Sequence, residues 1–188
     1  MTAWWQYFPK AFSKNECEWL IKYAHKLPCG DGVVEHGGEY HEDRKLRRSK
    51  VRWFSKTAPE LTEFYSRISE MMIQANANAF GFDILGFPHV QFTEYHAEDD
   101  GTYGWHEDNN FTNNTPCDRK ISMVIQLSDA GEYTGGKLKL HREPLPDDVF
   151  CNQGDVIFFP SFNRHMVTPV KLGTRYSLVT WFVGPKFR

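Results

Sequence analysis

The chain has 188 residues, of which 40% are hydrophobic and 24% are charged, a composition typical of one soluble globular domain. A formal net charge of −2 without a basic tail gives no reason to expect a nucleic acid or an anionic membrane as partner. The four cysteines show no CxxC spacing, and no signal-like or membrane-length apolar run is present, so we predict a reduced, cytoplasmic protein.

Two helices are predicted in the N-terminal half of the chain. The first follows the capping box Ser13-Lys-Asn-Glu16 and ends before Leu27-Pro28. The second begins at Thr57-Ala-Pro59-Glu60, which combines another capping box with a proline in the first turn, and it ends near Phe80-Gly81. Apolar residues recur at helical spacing in both segments, and we assign these stripes to packing against a sheet.

Residues 36–50 lie between two short predicted strands, Gly32–Glu35 and Val51–Phe54. The segment is rich in glycine at its start and in charges of both signs thereafter, which predicts a mobile surface loop. The alternative is a lid over an active site, because long loops in compact domains often carry function.

From Phe87 onward the pattern changes to short strands separated by turn residues. Short strands at this spacing are typical of a β-sandwich or of a cupin-like jelly-roll barrel. Of the two we predict a mainly β fold with supporting helices and a double-stranded β-helix (jelly-roll) core. We therefore predict one domain over residues 1–188, with helical support and early strands in 1–86 and the jelly roll in 87–188. The predicted strands are His89–His96, Thr102–Trp105, Lys120–Leu127, Lys137–His141, Asp155–Phe159, Met166–Val170 and Thr174–Val183.

Three segments contain a histidine followed two residues later by an acid. We favour His106 and Asp108, because a strand would anchor His106 while Asp108 lies just beyond it. His96 with Glu98, at the entry to a polar turn, is the alternative, and His41 with Asp43, in the charged loop, is the least favoured. Two histidines and one carboxylate are the ligand set of a mononuclear non-haem Fe(II) site, and His165 is the second histidine that we predict.

The strand after His165 supports a site for an anion. With a period of two residues, Arg175, Ser177, Val179 and Trp181 share one face of this strand. A cation inside a β-rich core is unfavourable unless an anion meets it, and a guanidinium is a fork that suits a carboxylate. A surface arginine on an edge strand remains the alternative interpretation.

These motifs together resemble the 2-oxoglutarate- and Fe(II)-dependent dioxygenases, and within them the prolyl 4-hydroxylase branch of the bacterial, phage or oxygen-sensor type. The matching motifs are His106-x-Asp108, Gly135-Gly136, His165-x-Val-x-Pro-Val and Gly173-x-Arg175-Tyr-x-x-x-x-Trp181. The resemblance implies that His106, Asp108 and His165 bind iron and that Arg175 holds the distal carboxylate of 2-oxoglutarate.

The same resemblance implies further contacts. Tyr95, Gln126 and Ser177 fall near the expected cosubstrate pocket, although related hydroxylases often carry a tyrosine where Gln126 falls. The substrate peptide is expected at Arg119 and Trp181. From their place in and beside the charged loop, Tyr40 and Arg48 are further candidates for contacts with that peptide.

The implied activity is hydroxylation of an unactivated C–H bond, most specifically of a prolyl residue in a peptide or protein. It would use Fe(II), 2-oxoglutarate and O₂, with ascorbate as reductant, and release succinate and CO₂. One alternative is a hydroxylase of a free amino acid or another small molecule. Alternatives of other classes are a metal-dependent cupin-like isomerase or hydrolase, and a non-catalytic ligand-binding jelly roll, neither of which needs a carboxylate clamp beside the metal.

Overall fold

A computed structural model describes residues 1–36, 39–87, 89–109 and 115–187, with only the backbone described at positions 35, 36, 39 and 40. The described residues form two α-helices, α1 (Lys14–Ala24) and α2 (Thr62–Ala75). Within this part of the chain, no helix is both long enough and apolar enough to cross a membrane. The strands are β1 (Gln6–Phe8), β2 (Gly30–Asp31), β3 (Val34–His36), β4 (Glu39–His41), β5 (Arg47–Arg48), β6 (Lys50–Phe54), β7 (Val90–His96), β8 (Thr102–His106), β9 (Cys117–Gln126), β10 (Tyr133–Gly135), β11 (Leu138–Leu140), β12 (Val156–Pro160), β13 (His165–Val167) and β14 (Val170–Pro185).

The strands form a larger and a smaller antiparallel sheet. The larger sheet has the order β1-β12-β9-β14-β7-β6-β2, with β10 added to one end of β14, and the smaller sheet has the order β11-β13-β8-β5. Strands β3 and β4 pair separately. Two antiparallel sheets with few helices confirm the predicted mainly β fold with a jelly-roll core.

The larger sheet has two different faces, as the period-two pattern of its strands requires. The outer face packs on α1 and α2, where Leu20, Phe64 and Ile68 bury against Phe92 and Phe182. The inner face looks towards the smaller sheet, and the space between the sheets holds both apolar and polar side chains. Here Val124, Ile157 and Phe159 meet Leu138 and Leu140, while Tyr95 meets Val167.

The first helix begins as predicted. Ser13 Oγ accepts from the backbone N–H of Glu16 at 3.3 Å, and Glu16 Oε2 accepts from the backbone N–H of Ser13 at 2.7 Å. Cys17, Leu20 and Ala24 form its buried stripe. Both halves of the capping box are present, so the local sequence alone specifies this helix start.

The predicted capping box of the second helix is wrong. A 3₁₀ turn over Pro59–Leu61 precedes α2, and no side chain caps either segment. The hydroxyl of Thr57 instead lies 2.9 Å from that of Ser55, whose oxygen also accepts from the backbone N–H of Thr57. A local turn therefore competes successfully for the side chain that the pattern assigned to the helix.

The segment 36–50, predicted as a loop, contains short strands where the structure describes it. Strand β4 pairs with β3, and β5 pairs with β8, so backbone hydrogen bonds hold both ends of this stretch. Arg47 is only 8% exposed, donates to the carbonyl of Val33 at 2.9 Å and lies 4.6 Å from the ring centroid of Tyr103. The charged sequence around Arg47 predicts a solvated side chain. Its burial is possible because the guanidinium has a carbonyl oxygen and an aromatic ring as partners.

Candidate metal centre

The two histidines and the aspartate predicted as metal ligands converge at one end of the smaller sheet. His106 ends β8, His165 begins β13, and the two residues face each other directly in the antiparallel pairing. Asp108 lies just beyond β8, with Oδ1 3.5 Å from His106 Nε2 and Oδ2 3.4 Å from His165 Nε2. All three ligand atoms lie within 4.8 Å of one another, and no other such group is found among the described residues.

Backbone carbonyls fix the orientation of both imidazoles. His106 Nδ1 lies 2.8 Å from the carbonyl oxygen of Gly104, and His165 Nδ1 lies 2.9 Å from that of Asn163. A carbonyl oxygen only accepts, so each Nδ1 carries the proton and each Nε2 keeps its lone pair towards Asp108. This is the tautomer that binds a metal ion through Nε2.

Side chains from the larger sheet hold Asp108 in place. Ser122 Oγ donates to Asp108 Oδ2 at 2.6 Å, and its oxygen lies 3.0 Å from the hydroxyl of Ser161. Arg119 donates to the carbonyl of Asp108 at 3.2 Å, and the backbone N–H of Asp108 donates to the carbonyl of Ser161 at 2.9 Å. Ser161 was not predicted, because nothing in its local sequence links it to a residue 53 positions earlier.

The protonation states of these groups suit a cation. Burial by itself would raise the pKa of Asp108, but His165, His106 and Arg119 outweigh it and hold this pKa well below its usual range. Burial and the neighbouring His106 lower the pKa of His165 to about 4. Near neutral pH the site therefore offers one carboxylate and at least one neutral imidazole to a metal ion.

An aromatic stack supports His106 from the side of β5. The register of β8 against β13 changes between His106 and Tyr103, so β8 contains a bulge. The extra residue brings Tyr103 onto the same face as His106, with ring centroids 3.5 Å apart and planes within 10°. The guanidinium of Arg47 lies over the ring of Tyr103. Burial raises the pKa of Tyr103 to about 12, so its hydroxyl stays neutral near neutral pH.

Arg175 lies on the inner face of the larger sheet and is 1% exposed. Its Nε donates to Gln126 Oε1 at 3.0 Å, whereas its Nη1 is buried and has no partner. A buried guanidinium N–H without an acceptor is strongly unfavourable, and the unsatisfied atom fits the carboxylate of a ligand. Tyr95 is the cross-strand neighbour of Arg175, and Ser177 is buried two residues further along β14.

The predicted substrate residues fall into two groups. Arg119 stacks over Trp181, with its guanidinium 4.0 Å from the ring centroid, and Trp181 Nε1 is buried without a partner. Trp53 continues this surface, 6.4 Å from Trp181 by ring centroids, and is 47% exposed. Arg48 instead donates to the carbonyls of Asp100 and Arg44, and the side chain of Tyr40 lies outside the described residues.

The alternative histidine pairs do not form a comparable arrangement. His96 Nδ1 lies 3.1 Å from the hydroxyl of Thr174 and its Nε2 lies 3.4 Å from Glu94, while Glu98 is exposed. His41 is exposed in β4, which pairs with β3 and is not part of the sheet that carries His106 and His165. Neither pair is joined by a third ligand among the residues that the structure describes.

Comparison with known proteins identifies a family that matches this site. Residues 90–183 match the profile of the 2OG-Fe(II) oxygenase superfamily. A PKHD-type hydroxylase of Synechococcus sp. (strain CC9605) is 40% identical over 81 residues, which are 43% of this chain and 36% of that protein. A PKHD-type hydroxylase of Alteromonas mediterranea is 36% identical over 84 residues, 43% of this chain and 37% of that protein. The match thus spans little more than a third of the length of these curated relatives.

Solved structures share the fold over almost the whole chain. A prolyl-4-hydroxylase of Pseudomonas putida aligns with a TM-score of 0.71 at 18% identity, covering 96% of this chain and 92% of that one. A prolyl hydroxylase of Trichoplax adhaerens, solved with a fragment of the hypoxia inducible factor oxygen degradation domain, aligns with a TM-score of 0.73 at 15% identity, covering 95% and 83%. At these identities the likeness establishes the fold alone.

Proposed function

Because the chain belongs to the 2OG-Fe(II) oxygenase superfamily, we propose that it hydroxylates a prolyl residue of a peptide or protein. The observation that carries the proposal is the buried, unsatisfied Nη1 of Arg175 in the same interior as the convergent His106, Asp108 and His165. A metal site alone would suit many reactions. A metal site with a carboxylate clamp on the facing sheet suits a 2-oxo acid that reaches from one to the other.

His106, Asp108 and His165 would hold Fe(II) and leave the remaining positions of the ion open. When bound, the ion supplies the redox chemistry that couples the decarboxylation of 2-oxoglutarate by O₂ to oxidation of a C–H bond. The chain contributes the preset Nε2 lone pairs of the histidines, and Ser122 holds the carboxylate of Asp108 in position. Ascorbate is our proposed reductant for keeping the iron in the Fe(II) state.

Arg175 would bind the distal carboxylate of 2-oxoglutarate. The guanidinium is fixed in direction by Gln126, so little side-chain freedom is lost when the carboxylate arrives. Tyr95 and Ser177 flank the arginine on the same face and would complete the walls of the cosubstrate pocket.

Arg119 and Trp181 support a peptide substrate. Arg119 is tied to the backbone of Asp108 and stacked on Trp181, so these side chains form a rigid wall beside the metal ligands. An indole face suits the apolar ring of proline, and the unpaired Nε1 of Trp181 can donate to a backbone carbonyl. PKHD-type hydroxylases and prolyl hydroxylases among the similar proteins point in the same direction.

We also propose that the protein is cytoplasmic and that residues 1–188 form one domain. All four cysteines are free thiols, which supports a reducing compartment. The packing of α1 and α2 on the outer face of the larger sheet supports a single unit, because the same core contains residues of both halves.

The experiment that tests this function is incubation of proline-containing peptide libraries with the enzyme, Fe(II), ascorbate and 2-oxoglutarate, followed by mass spectrometry. We expect addition of one oxygen atom to proline, with an equal amount of succinate. Oxidation of a free amino acid without oxidation of any peptide would instead favour a small-molecule hydroxylase. Turnover that is independent of 2-oxoglutarate would favour a metal-dependent isomerase or hydrolase.

A further inference from the structure

The side chain of Gln126 connects Arg175 to a tyrosine on a different strand. Its Oε1 accepts from Arg175 Nε at 3.0 Å, and its Nε2 donates to the carbonyl of Ser128 at 3.1 Å and to the hydroxyl oxygen of Tyr133 at 2.9 Å. The amide orientation is forced from both ends, because a guanidinium only donates and a carbonyl oxygen only accepts.

This orientation determines what Tyr133 can do. Both N–H groups of Gln126 are already used, and one of them is donated to Tyr133, so the tyrosine oxygen acts as the acceptor in that bond. The proton of the Tyr133 hydroxyl is then left for another acceptor, and none is found among the described residues. Tyr133 is thus a hydrogen-bond donor with an unused proton.

The residues that carry these two donors, Tyr133 and Arg175, lie beside the same cavity. Both residues line a space of about 300 Å³, together with Gln126, Gly135 and Gly136. Gly136 has a positive φ of 58°, and an added Cβ would come within 2.9 Å of Arg175 Cδ and 3.3 Å of Tyr133 Cε2. The backbone therefore packs closely on both side chains and keeps them next to each other.

We propose that the hydroxyl of Tyr133 is a second donor to the distal carboxylate of 2-oxoglutarate, beside Arg175. The amide of Gln126 holds two donors, and a carboxylate has two oxygens that can accept from them. A bound carboxylate would therefore supply the acceptors that Arg175 Nη1 and the Tyr133 hydroxyl lack. Gln126 then acts as a positioning residue for both and not as the direct contact that its sequence position suggested. This inference rests on the proposed use of 2-oxoglutarate.

The test compares two 2-oxo acids in equilibrium binding to the anaerobic Fe(II) enzyme, measured by calorimetry. 2-Oxoglutarate has the distal carboxylate, whereas pyruvate has the same keto acid end without it. In Tyr133→Phe we expect the Kd for 2-oxoglutarate to rise roughly tenfold or more, as for loss of a hydrogen bond to a charged group. The Kd for pyruvate should remain at the wild-type value.

Tyr65→Phe is the matched control, because it removes a hydroxyl that donates to the carbonyl of Ser55 at 2.7 Å, away from the cavity. A second variant, Gln126→Met, keeps the volume but removes the amide, and it should show the same selective loss of 2-oxoglutarate binding. Unchanged 2-oxoglutarate binding in Tyr133→Phe, or equal weakening of both 2-oxo acids, would overturn the inference. Failure of the wild-type enzyme to bind 2-oxoglutarate would overturn the proposed function instead.

Discussion

At the scale of single residues, the proposed metal centre includes neighbouring groups that hold its three ligands in position. Two backbone carbonyls select the tautomers of His106 and His165, and Ser122 fixes the rotation of the Asp108 carboxylate. The ligands therefore need little rearrangement when an ion binds, which favours tight and selective binding.

Replacing any one ligand should abolish the activity. His106→Ala, Asp108→Ala and His165→Ala each remove one of three protein donors, so we expect no Fe(II)-dependent succinate formation above background. Equilibrium metal binding and coupled succinate release measure the effect. His96→Ala is the control, because His96 pairs with Glu94 and Thr174 and should keep its activity. Loss of iron binding in His96→Ala with retention in His106→Ala would move the site to the other motif.

Ser122→Ala should weaken the metal site without removing it. The hydrogen bond of 2.6 Å to Asp108 is lost, and removal of a partner of this kind typically weakens metal affinity by about 10–100-fold. Titration with Fe(II) under anaerobic conditions measures the change. Ser66→Ala is a suitable control, since Ser66 Oγ donates to Glu70 on the exposed side of α2. Equal affinities for the two variants would show that Ser122 does not support the ligand.

The ligands could be proposed from the sequence, but most of their partners could not. His106 and Asp108 are close in the chain and lie at the end of a strand, so a local pattern contains the information. Ser161 and Tyr133 reach the site only through the pairing of distant strands, and their local sequences carry no matching signal. The bulge in β8 could not be predicted from the sequence either. Regular alternation along a strand would place Tyr103 and His106 on opposite faces, whereas the bulge places them on the same face.

At the scale of elements, β5 is the clearest difference between expectation and structure. Strand β5 has two residues at the edge of the smaller sheet, and its sequence is as charged as that of a surface loop. Two contacts hold β5 in the sheet, namely the backbone pairing with β8 and the burial of the Arg47 side chain. Edge strands of this length depend on a partner, so propensity alone does not reveal them. The same reason explains why β1, which pairs with β12, was not predicted.

Arg47→Gln should expose this segment to trypsin. The variant loses the bond to Val33 and the contact with Tyr103, so β5 should separate from β8 more often. We expect cleavage after Arg48 to be slow in the wild-type enzyme and several-fold faster in the variant, measured by limited proteolysis with mass spectrometry. Arg44→Gln is the control, because the Arg44 side chain is 58% exposed. No difference in cleavage after Arg48 would mean that Arg47 does not anchor the strand.

At the scale of the whole molecule, the two sheets contribute different parts of the site. The smaller sheet carries two of the proposed metal ligands, His106 on β8 and His165 on β13, and the third, Asp108, lies just beyond β8. The larger sheet carries Arg175 and Trp181 on β14. The helices lie on the opposite face of the larger sheet and keep it in position. A ligand that reaches from the metal to Arg175 therefore connects both layers of the fold.

Metal binding should stabilise the folded chain measurably. An ion at a hundred times its Kd adds about 2.7 kcal/mol to the free energy of unfolding, which corresponds to roughly 5–10 °C in Tm for a domain of this size. Calorimetry with anaerobic Fe(II), and again after chelation, measures the shift. Asp108→Ala should show none, because the carboxylate faces both imidazoles. A shift of the same size in Asp108→Ala would place the ion elsewhere.

The bulge in β8 has a consequence for how this chain tolerates insertions and deletions. Between Tyr103 and His106 the strand β8 holds one residue more than its partner β13. Because of that extra residue, the rings of Tyr103 and His106 lie on the same face of β8 and stack on each other. Deletion of Gly104 would restore regular pairing but turn one of the two side chains away, because alternation has a period of two. Replacement of Trp105, which is 39% exposed, keeps the count unchanged. Functional relatives should therefore vary in residue type at position 105 while conserving the length of the segment 103–106 to the single residue.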